Sequence, residues 1–170
     1  MKNFKFGLLS AMALSLVLFS CSKDEDVVTA QEEANFAIDV NLAQETDWEM
    51  ANEILVLVND HRATLGLAPI QRDQQYTSAY AVQHTQYMIE KSKINHDNFG
   101  ERRQALTQRG AVRVGENVGY GYDTAEAVVH AWLNSPSHRD LIEGNYSHAG
   151  FGVLQNAKGS YYFTQLFYKK

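Results

Sequence analysis

The chain has 170 residues, 45% hydrophobic, with 15 Lys and Arg against 20 Asp and Glu and a single Cys. That is enough apolar content for one globular domain with a core, and too few thiols for a disulfide framework or a multi-thiolate metal site. A net charge of -5 with no basic stripe excludes a nucleic-acid phosphate footprint, so no nucleic-acid partner is expected.

Residues 1–20 read as a signal peptide: Lys2 and Lys5 provide the positive start, and Phe6 to Phe19 form an apolar run too short to span a bilayer comfortably. The run ends in Leu18-Phe19-Ser20-Cys21, which resembles the lipobox of bacterial lipoproteins. That resemblance implies cleavage before Cys21 and a diacylglyceryl group on its sulfur, which makes the membrane a partner through Cys21. The following Ser22-Lys23-Asp24-Glu25-Asp26 resembles the acidic signal that directs lipoproteins outward, which places the protein in the cell envelope, anchored in the outer membrane and facing the surface.

Residues 21–47 read as the lipidated cysteine and an acidic tether. Residues 22–47 hold eight acids and one base, whereas 48–170 hold twelve of each, so the excess negative charge sits in the tether. A flexible segment of that length reaches ~28 Å. Disorder is expected for 22–34, while Phe36, Ile38, Val40 and Leu42 alternate in strand period and could dock on the domain.

The domain is expected over 48–170. Thr46-Asp47-Trp48-Glu49 forms a capping box, and Trp48, Ala51, Leu55, Val58 and Leu65 recur at helical spacing until Gly66. Asp73 caps a second helix running to about Lys91, with Tyr76, Tyr80 and Tyr87 on it. Asn95 to Phe99 reads as a polar loop, Gly100 to Gln108 as a short helix, and Ala111 to Val118 as a strand. Asp123-Thr124 opens a further helix that Asn134-Ser135-Pro136 breaks. Alternation through Ala149, Phe151 and Val153, a turn at 156–159, and alternation again through Tyr161, Phe163, Gln165 and Phe167 predict a closing hairpin. Helices first and paired strands last give an α+β fold, with helices flanking a mostly antiparallel sheet.

Four landmarks stand in order: Asn95-His96-Asp97, Gly115-Glu116-Asn117-Val118, Ala131 to Arg139 with Trp132 and Ser135-Pro136-Ser137-His138, and Tyr162 to Phe167. Together they resemble the cysteine-rich secretory, antigen 5 and pathogenesis-related superfamily, called CAP or SCP, over about residues 50–168. The resemblance implies an α-β-α sandwich with a shallow cleft in which His96 and His138 match two histidines that bind zinc in some members. Glu116 matches the first family glutamate, and Ser135 stands where the second would be.

Two neutral imidazoles are good ligands for zinc, and a neighbouring carboxylate can orient a histidine or polarise a metal-bound water. His96 and His138 are therefore the candidate metal ligands, Glu116 the candidate catalytic base, and Ser135 and Asn117 the candidate cleft residues. Two other readings stand beside these: Glu116 in a structural ion pair with Arg139 or Arg113, and Asn117 as a buried bracket for its strand. Trp132 reads as core. His61, His84, His130 and His148 match no family ligand and are expected at exposed helix or strand-edge positions.

No Gly-x-Ser-x-Gly elbow and no His-Glu-x-x-His helix occurs. Three functions follow as expectations. The first is a surface module binding an extracellular lipid, peptide or glycan in the His/Glu cleft, with or without a divalent metal. The others are a zinc-dependent hydrolase built on His96, His138 and Glu116, and a structural or adhesive surface protein.

Overall fold

The computed structural model describes Met1 and residues 37–170; the signal segment, Cys21 and residues 22–36 lie outside the described residues. A 3-10 helix, Val40–Glu45, precedes α1 (Trp48–Thr64), β1 (Gln71–Arg72), α2 (Tyr76–Lys91), α3 (Phe99–Gln108), β2 (Arg113–Tyr120), α4 (Ala125–Asn134), α5 (Pro136–Ile142), β3 (His148–Gln155) and β4 (Tyr161–Lys169). The four strands form one sheet in the order β1-β3-β4-β2, with β1 parallel to β3 and the other pairs antiparallel.

The alternation in β4 separates two layers. Phe163 and Phe167 join Phe151 and Val153 of β3 in a core with Ile54 and Val58 of α1 and Val128 and Trp132 of α4. Leu166 and Tyr168, on the other face, pack with Tyr80 and Ala81 of α2 and Ala105 and Leu106 of α3. Successive residues of a strand point to opposite faces, so each face takes its own helices, and the result is the α-β-α sandwich expected from the sequence.

The folded unit begins earlier than residue 48. Among the described residues, 37–47, predicted as tether, are part of it. Ala43 is buried and Ile38 packs against the α2–α3 core. The Asp47 backbone N–H donates to the Val153 carbonyl (2.9 Å), the Thr46 hydroxyl to the Phe151 carbonyl (2.8 Å) and the Trp48 indole to the Ala43 carbonyl (3.1 Å). The segment coils as a 3-10 helix packed on α2, where strand alternation was expected.

α1 also differs in detail from its predicted stripe. Asp47 is the cap, accepting from the Met50 backbone N–H, because the Thr46 hydroxyl is committed to β3. The buried positions are Ala51, Ile54, Val58 and Arg62, while Leu55 is half-buried and Leu65 lies 50% exposed. The observed stripe shares Ala51 and Val58 with the predicted one and replaces Leu55 by Ile54 and Leu65 by Arg62. Its guanidinium donates to the carbonyls of Ala68 (2.9 Å), Ile142 (2.6 Å) and Gly144 (2.9 Å), which ties the end of α1 to the end of α5. An arginine satisfied by carbonyls does not read as core in a hydrophobic pattern.

β1 was not foreseen: two residues are too few to show a period. The approach of α2 to β3 is set by two glycines. A Cβ on Gly150 would stand 2.5 Å from the Ser78 backbone nitrogen, and one on Gly152 would collide with the Ala81 carbonyl. The helix backbone therefore lies directly on the strand, and this seats the residues of α2 that face β2.

Candidate functional site

β2 is an edge strand, and α3 and α5 pack on it. Glu116 and Asn117 are adjacent, so their side chains leave opposite faces: Glu116 toward α2 and α3, Asn117 toward α5. The candidate site lies across this edge, with His96 on the loop that precedes α3 and His138 on α5.

Glu116 is its centre. The carboxylate side chain is 1% exposed and accepts two parallel hydrogen bonds from Arg102, Nε to Oε2 at 2.7 Å and Nη2 to Oε1 at 2.8 Å. Oε1 also accepts from His96 Nδ1 at 2.9 Å, and His84 Nε2 stands 3.8 Å from the same oxygen. Burial alone would push the carboxyl up, but the hydrogen bond from His96 and the Arg102 guanidinium outweigh it and hold Glu116 below the ordinary carboxylate value. A carboxylate only accepts, so the His96 proton is on Nδ1 and its Nε2 lone pair is left for another partner. The His96 side chain is 51% exposed, so that lone pair is open to solvent.

The loop carrying His96 is held at several points. His84 Nε2 donates to the Asn95 carbonyl (2.9 Å), Arg102 Nη1 to the Asp97 carbonyl (2.8 Å), and the Tyr87 hydroxyl to Asp97 Oδ2 (3.0 Å). Asn98 stands at the start of α3 in the left-handed region, at φ 58°, a conformation that asparagine tolerates better than most residues, without a side-chain capping hydrogen bond. Burial keeps the His84 imidazole below its ordinary value; Glu116 raises it and Arg102 lowers it again.

The α5 side is sparser. Asn117 is fully buried, and its Nδ2 donates to the His138 carbonyl at 3.3 Å, so it braces α5 against β2 as the bracket reading anticipated. His138 is half-buried; burial lowers its pKa, and the nearby His96 lowers it further, which places the two imidazoles within electrostatic reach of each other. Ser135 sits at the start of α5 without a capping hydrogen bond, its Oγ 3.4 Å from that of Ser137. Trp132 is core, 2% exposed, with its indole donating to the Val118 carbonyl at 2.9 Å.

Two sequence expectations need correction. Glu116 pairs with Arg102 and with neither Arg113 nor Arg139, since Arg113 lies over the Tyr146 ring and Arg139 donates to the Leu133 carbonyl. His84 is buried at 3% exposure and belongs to the site. Both missed residues had a signal. Arg102 stands three and four positions before the buried Ala105 and Leu106, and His84 four before the buried Met88, so each occupies an inward helical position. A buried arginine needs its N–H donors satisfied, by carbonyls as at Arg62 or by a carboxylate as at Arg102. The other histidines do lie apart: His61 bonds Glu143 (2.8 Å), His130 is exposed, and His148 stacks on Tyr168.

As a donor set, His96 Nε2 and His138 supply two imidazoles, the first oriented by a carboxylate as metal-bound histidines commonly are. Such a pair suits an exchangeable divalent ion completed by water. Among the described residues no group of three or more His, Cys, Asp or Glu side chains converges as a metal site. Three protein ligands are the usual set of catalytic zinc centres.

The sequence profile of CAP, the cysteine-rich secretory protein family, matches residues 55–167. The chain is similar to the uncharacterized membrane protein YlbC of Bacillus subtilis (strain 168), 36% identical over 124 residues, 69% of this chain and 34% of the relative. It thus spans about a third of that relative's length. An outer surface protein of Borrelia burgdorferi shares the fold, with a TM-score of 0.64 at 24% identity, covering 72% of this chain and 93% of that one. An extracellular SCP-domain protein of Bacillus anthracis str. Ames superposes with a TM-score of 0.60 at 28% identity, over 70% of this chain and 40% of that one.

Proposed function

The chain belongs to the CAP, or cysteine-rich secretory protein, family, and from that premise we propose that it is a cell-surface ligand-binding module. In this reading it holds an extracellular lipid, peptide or glycan across the edge of β2, between His96 and His138. The observation that carries this reading is the commitment of Glu116. Both carboxylate oxygens accept from Arg102, one also accepts from His96, and the side chain is 1% exposed. A general base must be within reach of the proton it takes, and burial behind Arg102 and His96 keeps this carboxylate from solvent. Glu116 instead orients His96, and Ser135 brings no second carboxylate.

A divalent metal is part of the proposal as an adjunct to binding. His96 Nε2 and His138 would hold it, and the ion would supply a Lewis-acidic contact for an oxygen of the ligand. The hydrolase reading is tested with the full chain in zinc-containing buffer against casein and p-nitrophenyl ester substrates. The expected result is no turnover that is lost both on chelation and in His138→Ala; turnover abolished by both would overturn the binding-module reading in favour of a zinc hydrolase.

The surface placement rests on the lipobox-like Leu18-Phe19-Ser20-Cys21 and on the membrane and outer-surface names of the similar proteins. No helix among the described residues is long and apolar enough to cross a membrane. In this reading lipidation of Cys21 would hold the domain at the envelope. Mass spectrometry of the N-terminal peptide of cell-derived protein should find a diacylglyceryl adduct on Cys21, and an unmodified thiol at that position would remove the anchor from the proposal.

A further inference from the structure

A concavity of about 340 Å³ lies beyond the Tyr120 end of β2, and His96, Glu116 and His138 are not among its lining residues. Lys93, Ile94, Tyr120, Tyr162, Asn156 and Lys158 line it, and among the described residues no acidic side chain does. Neither lysine forms an ion pair among the described residues. Tyr120 lies over Tyr162 with ring centroids 4.5 Å apart; Tyr162 is buried, whereas Tyr120 is 47% exposed and Ile94 45% exposed.

The backbone aims the lysines from two sides. Ser92 ends α2 in the left-handed region at φ 51°, which turns Lys93 and Ile94 back over the helix end. Across the concavity, Asn156 Oδ1 accepts from the backbone N–H of Lys158 (2.9 Å) and Ser160 (3.0 Å), which holds Lys158 at the tip of the β3–β4 turn. An exposed aromatic face seated on a buried ring takes the apolar face of another ring, and two unpaired ammonium groups take an anion. A concave wall suits a single ring-bearing group better than a flat bilayer surface, which a protruding apolar patch would serve.

We infer that this concavity is a subsite for an acidic sugar, its ring laid on Tyr120 and its carboxylate, sulfate or phosphate group held between Lys93 and Lys158. It goes beyond the cleft reading and stands on different residues, so either can fail alone. The test titrates the full chain calorimetrically with hexagalacturonate and with dextran sulfate, with maltohexaose as the uncharged control and phosphatidylglycerol vesicles as a further arm.

Saturable binding to either acidic sugar is expected, with maltohexaose at least about tenfold weaker. The double variant Lys93→Ala/Lys158→Ala should lose about tenfold in affinity, and Lys93→Arg/Lys158→Arg should regain most of it because the charge is kept. Tyr120→Ala should weaken binding while Tyr120→Phe preserves it, which separates loss of the ring from misfolding. The carboxylate and sulfate arms distinguish which anion is preferred, and binding in either supports the subsite. Equal affinity for maltohexaose, indifference to the lysine and Tyr120 variants, or capture by the vesicles with no response to either acidic sugar would overturn it.

Discussion

On the α3 side of β2, Glu116 receives hydrogen bonds from Arg102 and His96 with His84 close behind, and the loop bearing His96 is pinned through Asn95 and Asp97. On the α5 side, a single 3.3 Å bond from Asn117 reaches the backbone of His138, and the Ser135 side chain caps nothing. The α3 side is thus preorganised around a buried charge, whereas α5 is seated by packing, the Asn117 bond to the His138 carbonyl and the Arg62 bond to the Ile142 carbonyl at its far end. A ligand or ion spanning His96 and His138 would meet one imidazole already aimed and another whose helix can adjust.

The comparison breaks hardest at Arg102. Arg102→Met leaves Glu116 buried and ionised without its partner, and should cost about 3–5 kcal/mol in urea unfolding. Arg102→Met/Glu116→Leu removes both charges and should recover most of that loss; a single variant as stable as wild type would show that the α3 side is not organised by this pair. The next effect is on pH dependence. His84 is held below its ordinary value of 6.5 by burial, so below that pH the unfolded chain takes up a proton that the folded chain refuses. Glu116, held low, adds stability present above the ordinary carboxylate value and lost as pH falls through its own lowered value.

Both signs therefore point the same way, and thermal stability should fall between pH 7 and pH 5, by at most about 1.4 kcal/mol per pH unit for the His84 proton. His84→Gln should flatten that limb, and a melting temperature that rises on acidification would contradict the buried neutral imidazole. The smallest effect belongs to the α5 side: Ser135→Ala should change stability by less than about 0.5 kcal/mol in the same urea assay, against about 1 kcal/mol for a working cap. A loss of that larger size would show that Ser135 braces α5 after all.

Much of this was legible in the chain, for identifiable reasons. The β3–β4 hairpin carries a period of two because successive residues of β4 enter two different layers, and α4 carries a helical period because one face packs on the core. What misled were residues whose inward position is set by a distant partner. Arg62 and Arg102 are charged yet buried, satisfied by the carbonyls of Ile142 and Gly144 and by Glu116 respectively. A pattern of hydrophobic positions records neither. Residues 37–47 were assigned to a tether by their charge, whereas a few apolar contacts and backbone bonds to β3 draw them into the domain.

The sequence by itself determined the α+β class, the order of the elements and the family, because these follow from local period, turn chemistry and motif order. Tertiary structure alone decided that Glu116 accepts from Arg102 and His96, that His84 joins them, and that Lys93, Lys158 and Tyr120 line one concavity. Those pairings join residues 14, 32 and 65 positions apart (Arg102–Glu116, His84–Glu116, Lys93–Lys158). Which side chain neutralises a buried charge depends on which surfaces the sheet brings together, and no local pattern encodes that.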